Sequence, residues 1–572
     1  MPTSAPYPAP HEPLDPQFTV AEKYASVKNT NAGCHPGVLR GATVMNPPNF
    51  SLRNTRRRRS LVAAIVVVGV FAAVAVVAAL RSGSLVNAGQ REPSWHSAQP
   101  ASLAPPVQPA LPPLPEHFTR QPLAWKACSA SKPKIRCATI DAPMDYFHPQ
   151  AGTIKVTFSR FATSVAAKRR GVLLFNPGGP GIEGLGSPWY WSEKLTKDVL
   201  DQYDLIGFDP RGVGRSTPIR CGLIENEALP YAPYDPATFT QQAADAKSAA
   251  GKCATTGQTT GHISTRNTAR DMDLIRVLLG EEKISYFGIS YGTYLGAVYT
   301  QLYPGRSDRM MLDSNVDPAR MGRGFYEGRA IGSARRFTHF TEWAAQRDAT
   351  YHLGPTPAAV EHTFWGLVDR LKRAPLSIDG RRFTERHARS QMADLSARET
   401  DGADFLINLR KAVNGEKNNL YAPEDPGKDD AIASPWLTIM CNDTTTWPQG
   451  QQPYLDDLAR LKKLYPISWD LETGINACGF WSLHTEPDLT VSNDVPALLL
   501  QNEWDLATPR EPGDGMHRAL RASRLVTVKG APEHGAYSNG NSCATDIANK
   551  YLSTGILPPA DVTCPPHSDQ RK

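Results

Sequence analysis

The stretch Gly288-Ile289-Ser290-Tyr291-Gly292 follows an apolar run at 284–287. It precedes Thr293-Tyr294-Leu295-Gly296-Ala297-Val298-Tyr299, where small and apolar residues recur at helical spacing. A strand, a sharp turn and a buried helix are the setting this predicts. In that setting a serine between glycines is lifted above the end of a sheet with its hydroxyl exposed, which is how a nucleophile is presented. The five-residue pattern alone is weak. At ordinary Gly and Ser usage a chain this long holds roughly 0.2 such matches by chance. A glycine-flanked loop serine is the plain alternative, so the rest of the chain must decide.

From about residue 120 strands and helices alternate. Apolar runs at 154–158, 171–175, 203–208, 284–287, 309–312, 497–500 and 525–528 are strand candidates. Several are continuous, as expected of parallel strands buried on both faces. Helical patterns such as 268–279 lie between them, and the whole reads as α/β with a mostly parallel sheet. Between 318 and 490 the strand rhythm fades, and helical segments such as 358–372 and 454–464 take over. That block fits a helical lid inserted between core strands. The expected division is a basic tail at 1–60, an apolar segment at 61–80 and a Pro/Ala-rich linker at 81–118. A first core part at 119–317, the lid at 318–490 and a second core part at 491–572 follow.

The net charge of +6 over 572 residues is concentrated at the start. Residues 1–60 carry eight Lys/Arg against three Asp/Glu, which leaves the remainder near neutrality and gives no electrostatic case for nucleic acid. Residues 61–80 contain no charge and follow Arg56-Arg57-Arg58-Arg59. Twenty helical residues span a bilayer core, and the arginines hold that flank in the cytoplasm. The segment is either an uncleaved single-pass anchor or an export signal with Val86-Asn87-Ala88 as cleavage site. Met45 offers an alternative start, and Arg58-Arg59 faintly resembles a twin-arginine signal. Eight of the nine cysteines lie beyond the apolar segment, an even number suited to disulfides in an oxidising compartment. Preference for short loops suggests Cys128–Cys137, Cys221–Cys253, Cys441–Cys478 and Cys543–Cys564. No C-x-x-C pair occurs to suggest a metal cluster.

A serine nucleophile of this kind is followed along the chain by an acid and then a histidine. Asp505 stands just beyond the late apolar run, at the carboxyl end where ligand-facing residues sit. It would hold the histidine tautomer, with Thr508 supporting its carboxylate. Asp313 and Glu503 are the alternative acids. His534 follows the final apolar run and would relay the proton. The loop Asn176-Pro177-Gly178-Gly179-Pro180-Gly181 follows an early strand, and the N–H of Gly179 would join that of Tyr291 as oxyanion donors. A phosphate loop is the rival reading, but the Walker lysine and Ser/Thr are missing. No cofactor or metal is called for.

Taken together, these stretches resemble the tripeptidyl aminopeptidases, in the proline-iminopeptidase-like branch of the α/β-hydrolase serine peptidases. NPGGPG at 176–181, YDLIGFDPRGVGRSTP at 203–218, YFGISYGTYLGAVYTQLYP at 286–304 and LLLQNEWDLATP at 498–509 carry the resemblance. CATDIANKYLSTGILPPADVTC at 543–564 is similar to that family's terminal module. The resemblance covers roughly residues 120–566. It implies an α/β-hydrolase fold, a Ser290–Asp505–His534 triad, and release of short peptides from free amino termini. The chain departs from the family where Ile182-Glu183 follow Gly181 in place of small residues. Recognition of a substrate ammonium calls for a carboxylate, and Glu183 and Asp443 are the candidates. Peptides are the expected substrates. A carboxylesterase with the same triad is the second reading. A catalytically inactive surface-binding relative is a third, disfavoured because every catalytic part is present.

Overall fold

The computed structural model describes residues 110–224, 227, 237–421, 430–471 and 473–566. The basic tail and the apolar segment 61–80 lie outside the described residues. Among those described, no helix is long and apolar enough to cross a membrane.

Ten strands form one sheet. In chain order they are β1 (Lys126–Ala127), β2 (Arg136–Pro143), β3 (Thr153–Phe161), β4 (Gly171–Asn176), β5 (Tyr203–Phe208), β6 (Ile284–Ile289) and β7 (Ser307–Asp313). A separate hairpin, β8 (Leu376–Ile378) and β9 (Arg381–Phe383), comes next, and β10 (Ala497–Asn502), β11 (Arg524–Val528) and β12 (Val562–Cys564) complete the sheet. The spatial order is β1-β2-β3-β5-β4-β6-β7-β10-β11-β12. β1, β2, β3 and β5 pair antiparallel in succession, and from β5 to β12 every pair is parallel. Each of the seven expected apolar runs falls in one of these strands.

The continuous apolar character of the strands has a direct cause. Leu173, Phe175, Leu205, Phe287, Met311, Leu498, Leu500 and Val526 point to one face and pack with Trp191, Tyr537 and Leu552. Val172, Leu174, Ile206, Phe208, Tyr286, Met310, Leu312 and Leu499 point to the other and pack on the helices Thr265–Leu278 and Tyr291–Leu302. Period-two alternation thus supplies two cores, and both need apolar residues.

Between β7 and β10 the chain forms helices Arg323–Ala345, Pro357–Arg373, Glu385–Leu395, Glu399–Val413, Asp430–Asn442 and Gln452–Leu464. The first four bury a cluster of their own around Phe337, Phe340, Phe364, Met392 and Leu406. The small hairpin of β8 and β9 within this insertion is not foreshadowed by the strand rhythm. Its turn is Asp379-Gly380, both at positive φ (50° and 77°), the Asp-Gly pairing that closes tight hairpins.

Four disulfides join Cys128–Cys137, Cys221–Cys253, Cys441–Cys478 and Cys543–Cys564, the short-loop pairing expected from the sequence. They tie β2 to its neighbouring loop, secure segments around the insertion, and fasten the C-terminal helix Ser542–Thr554 to β12.

Candidate active site

The site is assembled at the carboxyl ends of β6, β7, β10 and β11, four neighbours in the sheet. Ser290 occupies the turn from β6 into the helix Tyr291–Leu302, with φ +59° and ψ −128°. A side chain rarely adopts this conformation, and it persists only where the surroundings enforce it. The flanking glycines explain how. A Cβ on Gly288 would meet the carbonyl oxygen of Gly292 at 2.3 Å, and one on Gly292 would meet that of Asn176 at 2.6 Å. The turn closes on itself and on the end of β4, leaving no room for side chains.

The strand β7 ends at Asp313, and Ser314 and Asn315 follow, all three fully buried. The Asp313 carbonyl accepts the N–H of Ser290 at 3.0 Å. Its carboxylate accepts the N–H groups of Ala536 (2.8 Å) and Tyr537 (2.9 Å). Asp313 therefore fastens the serine turn to the loop that carries His534. Burial pushes its carboxyl up to about 6, against the pull of the two N–H donors.

Asp505, not Asp313, reaches the imidazole. His534 Nδ1 lies 2.9 Å and 3.1 Å from the two Asp505 carboxylate oxygens. Asp505 also accepts the Ser314 hydroxyl (2.6 Å) and the N–H groups of Ala507 (2.8 Å) and Thr508 (2.9 Å). Burial favours the neutral acid, but the His534 charge and hydrogen bond, the Ser314 hydroxyl and the Thr508 N–H outweigh it and hold the carboxyl below its usual value. Burial pulls the His534 pKa down, while Asp505 more than compensates and leaves it raised. With Nδ1–H donated to Asp505, Nε2 is the nitrogen left to exchange a proton.

The structure specifies the support for Asp505 that the sequence suggested and adds to it. Thr508 supports Asp505 through its main-chain N–H, and its hydroxyl is buried with no partner among the described residues. The hydroxyl that does bind the carboxylate belongs to Ser314, which also accepts the N–H of Gly535 at 2.8 Å. Sequence reasoning missed it. The available signal was the abrupt change from Met310-Met311-Leu312 to Asp313-Ser314-Asn315 at a strand end. The alternative acid Glu503 lies outside the constellation, bonded to Lys529 (2.6 Å) and the N–H of Gly530 (3.0 Å).

The glycine loop after β4 packs on the serine turn. A Cβ on Gly178 would meet Ser290 Cβ at 2.9 Å and the Ile289 carbonyl at 2.7 Å, and its φ is +103°. Asn176 Oδ1 accepts the Gly178 N–H at 3.0 Å, which sets the loop's course. The N–H of Gly179 follows, and that of Tyr291 opens the helix beyond Ser290.

The two expected ammonium-binding acids have different settings. Asp443 is 2% exposed. One carboxylate oxygen accepts the Thr265 N–H at 2.8 Å and the other accepts the Thr265 hydroxyl. The Thr265 hydroxyl also contacts the Tyr291 hydroxyl. Burial pushes Asp443 up to about 6. Glu183 is half-buried and stands near Asp209, whose carboxyl is pushed up to about 6 by burial, with the Glu183 charge adding to the effect.

A mostly parallel sheet, a serine held at a strained strand-to-helix turn, and an Asp–His pair on the neighbouring strand ends define a serine hydrolase of the α/β-hydrolase class. The comparisons narrow this. The alpha/beta hydrolase fold family matches residues 171–509, and the TAP-like protein family matches residues 466–564. The chain is 33% identical to the tripeptidyl aminopeptidase of Streptomyces lividans, over 79% of this chain and 88% of that protein. It is 28% identical to the serine protease Hip1 of Mycobacterium tuberculosis, over 78% of this chain and 91% of that one. Carboxylesterase B of the same organism is also 28% identical, over 77% of this chain and 90% of that protein. The chain belongs to the tripeptidyl aminopeptidase-like serine peptidases of the α/β-hydrolase fold.

Proposed function

We propose that the protein is an exported exopeptidase that removes di- or tripeptides from free amino termini through an acyl-enzyme on Ser290. The observation that carries this reading is the bond between His534 Nδ1 and Asp505, at strand ends adjoining the Ser290 turn. Ser290 Oγ attacks the scissile carbonyl and His534 Nε2 takes its proton. The N–H groups of Gly179 and Tyr291 receive the developing oxyanion. When the C–N bond breaks, the imidazolium returns its proton to the leaving amine. Water then repeats the sequence on the ester, releasing the short peptide and restoring Ser290. Asp505 keeps the tautomer and stabilises the imidazolium throughout. Export is supported by the four disulfides, which persist in oxidising compartments, and by the apolar segment 61–80 as anchor or signal.

The identity to a carboxylesterase favours a second reading, ester hydrolysis by the same triad. Free-amino and N-acylated chromogenic tripeptides, assayed beside short-chain esters, separate the two. The exopeptidase reading expects strong preference for the free-amino peptide, and preference for esters overturns it. Ser290→Ala is expected to lower kcat by about 10⁴-fold or more. Unchanged turnover in that variant overturns the nucleophile.

A further inference from the structure

Tyr291 stands directly after Ser290 and opens the helix Tyr291–Leu302. Its main-chain N–H is among the four at a helix start that meet no carbonyl within the helix, which frees it for a reacting oxygen. The ψ angle of Ser290 aims that N–H, because it turns the peptide joining the two residues. With φ at +59° and ψ at −128°, Ser290 keeps this geometry only while its surroundings hold it. Upstream, the Asp313 carbonyl holds the Ser290 N–H at 3.0 Å. Downstream, the hold is the side chain of Tyr291.

That side chain is buried, and its hydroxyl ends on the hydroxyl of Thr265. Thr265 is the first residue of the helix Thr265–Leu278. Both of its donors, the N–H at 2.8 Å and the hydroxyl, go to the Asp443 carboxylate. Burial pushes that carboxyl up to about 6, so near neutral pH it is ionised and can only accept. The direction of the chain follows. Tyr291 donates to Thr265, and Thr265 donates to Asp443. A negative charge also suits the start of a helix. Asp443 is itself fixed, because Arg266 donates to the carbonyls of Asn442 (3.0 Å) and Asp443 (3.3 Å). The Cys441–Cys478 disulfide is two residues away. Three side chains thus link the end of the inserted helix Asp430–Asn442 to the residue after the nucleophile.

We propose that Thr265 and Asp443 are positioning residues for the oxyanion hole, gripping the Tyr291 hydroxyl so that the Tyr291 N–H stays aimed at the developing oxyanion. This rests on the reading above, in which Ser290 attacks and Gly179 and Tyr291 supply the donors. It gives Asp443 a different task from the ammonium binding expected of it, one that suits a buried carboxylate with both oxygens engaged. The glycine loop borders the same nitrogen, since a Cβ on Gly178 would stand 3.4 Å from Tyr291 N. Hydrogen bonds weaken steeply as they bend. Releasing the far end of Tyr291 therefore costs stabilisation of the transition state and leaves ground-state binding alone. A hydroxyl bonded only to satisfy its burial would affect stability and not kcat.

The test compares wild type with Tyr291→Phe, Thr265→Val, Thr265→Ser and the double variant Tyr291→Phe/Thr265→Val. The substrates are a free-amino chromogenic tripeptide and a short-chain ester, and the boronic-acid analogue of the peptide reports binding of a tetrahedral adduct on Ser290. Tyr291→Phe removes one oxygen and is expected to lower kcat about 10-fold on both substrates with KM unchanged. Inhibition by the boronate weakens by about the same factor. Thr265→Val loses a similar amount, and the double variant loses no more than the larger single loss, because the chain acts as a unit. Thr265→Ser keeps most of the rate. If Thr265→Val does not fold, Tyr291→Phe alone decides. An unchanged kcat in Tyr291→Phe, a loss carried by KM, or losses that multiply in the double variant overturn the inference. Unchanged turnover by Ser290→Ala overturns the nucleophile and the inference with it. A wild-type preference for esters overturns the exopeptidase reading and leaves the inference standing, because ester and peptide cleavage share the oxyanion.

Discussion

The carboxyl edge of the sheet and the helical insertion above it are built on different physical terms. At the sheet edge, polar groups are buried and tied to the main chain. Asp313 takes two N–H donors from the histidine loop, and Asp505 takes two N–H donors and a hydroxyl. The insertion instead has a separate apolar cluster around Phe337, Phe340 and Phe364. Its helix Asp430–Asn442 packs into the main core, and side chains of the first helix also reach the carboxyl edge: Arg336 to the Asp505 carbonyl, Arg335 to Glu511, and His339 stacked on Trp504 with ring centroids 4.9 Å apart. The contrast teaches that the reacting groups are positioned by structure that cannot shift without unsatisfying buried polar atoms.

The largest expected effect tests the edge. Asp505→Asn should lower kcat by about 10⁴-fold, whereas Asp313→Asn should be milder, acting through loop position. The residual activity of Asp505→Asn should also keep its acidic limb at lower pH. Activity requires neutral His534, and Asp505 raises the imidazole pKa against burial, which lowers it. Removing the raising partner moves the limb down, and a pH–rate profile reads this directly. An unmoved limb, or a more severe Asp313→Asn, would reverse the assignment of the two acids.

The next effect tests the independence of the insertion. Phe364 is fully buried and packs on Phe337 with ring centroids 5.0 Å apart. Phe364→Ala should destabilise the insertion by about 3–5 kcal/mol. An early thermal transition is expected at temperatures where fluorophosphonate still labels Ser290. A single transition in which labelling is lost simultaneously would show that the two regions melt as one. The smallest effect sharpens the description of the edge. Ser314→Ala removes one hydroxyl from a buried carboxylate and should lower kcat about tenfold with KM unchanged, as expected of one hydrogen bond to a charged group.

Much of the edge is legible because it is encoded locally. Strands buried on both faces must be continuously apolar, so their positions show in the sequence. Polar residues follow at their carboxyl ends, Asp313 after β7 and Asp505 shortly after β10. The Gly288 and Gly292 spacing is equally local, since the turn packs on itself. Ser314 was hidden because its value depends on Asp505, nearly two hundred residues away. Thr508 does bond the carboxylate, as its position suggests. Its position three residues after Asp505 was visible, but whether its N–H or its hydroxyl faces the carboxylate depends on backbone direction. The Asp379-Gly380 hairpin was encoded and went unread, masked by the helical pattern around it.

The sequence by itself determined the alternation of elements, the nucleophile turn, the order of serine, acid and histidine, and a cysteine count suited to four bridges. These depend on residue type and near-neighbour spacing, which burial and backbone sterics constrain directly. Only the tertiary structure decided between Asp505 and Asp313, found Ser314, and bonded Asp443 to Thr265. Each of these depends on which side chain fills a shared space with a distant segment. That is set by the packing of the insertion on the sheet, and no local pattern records it.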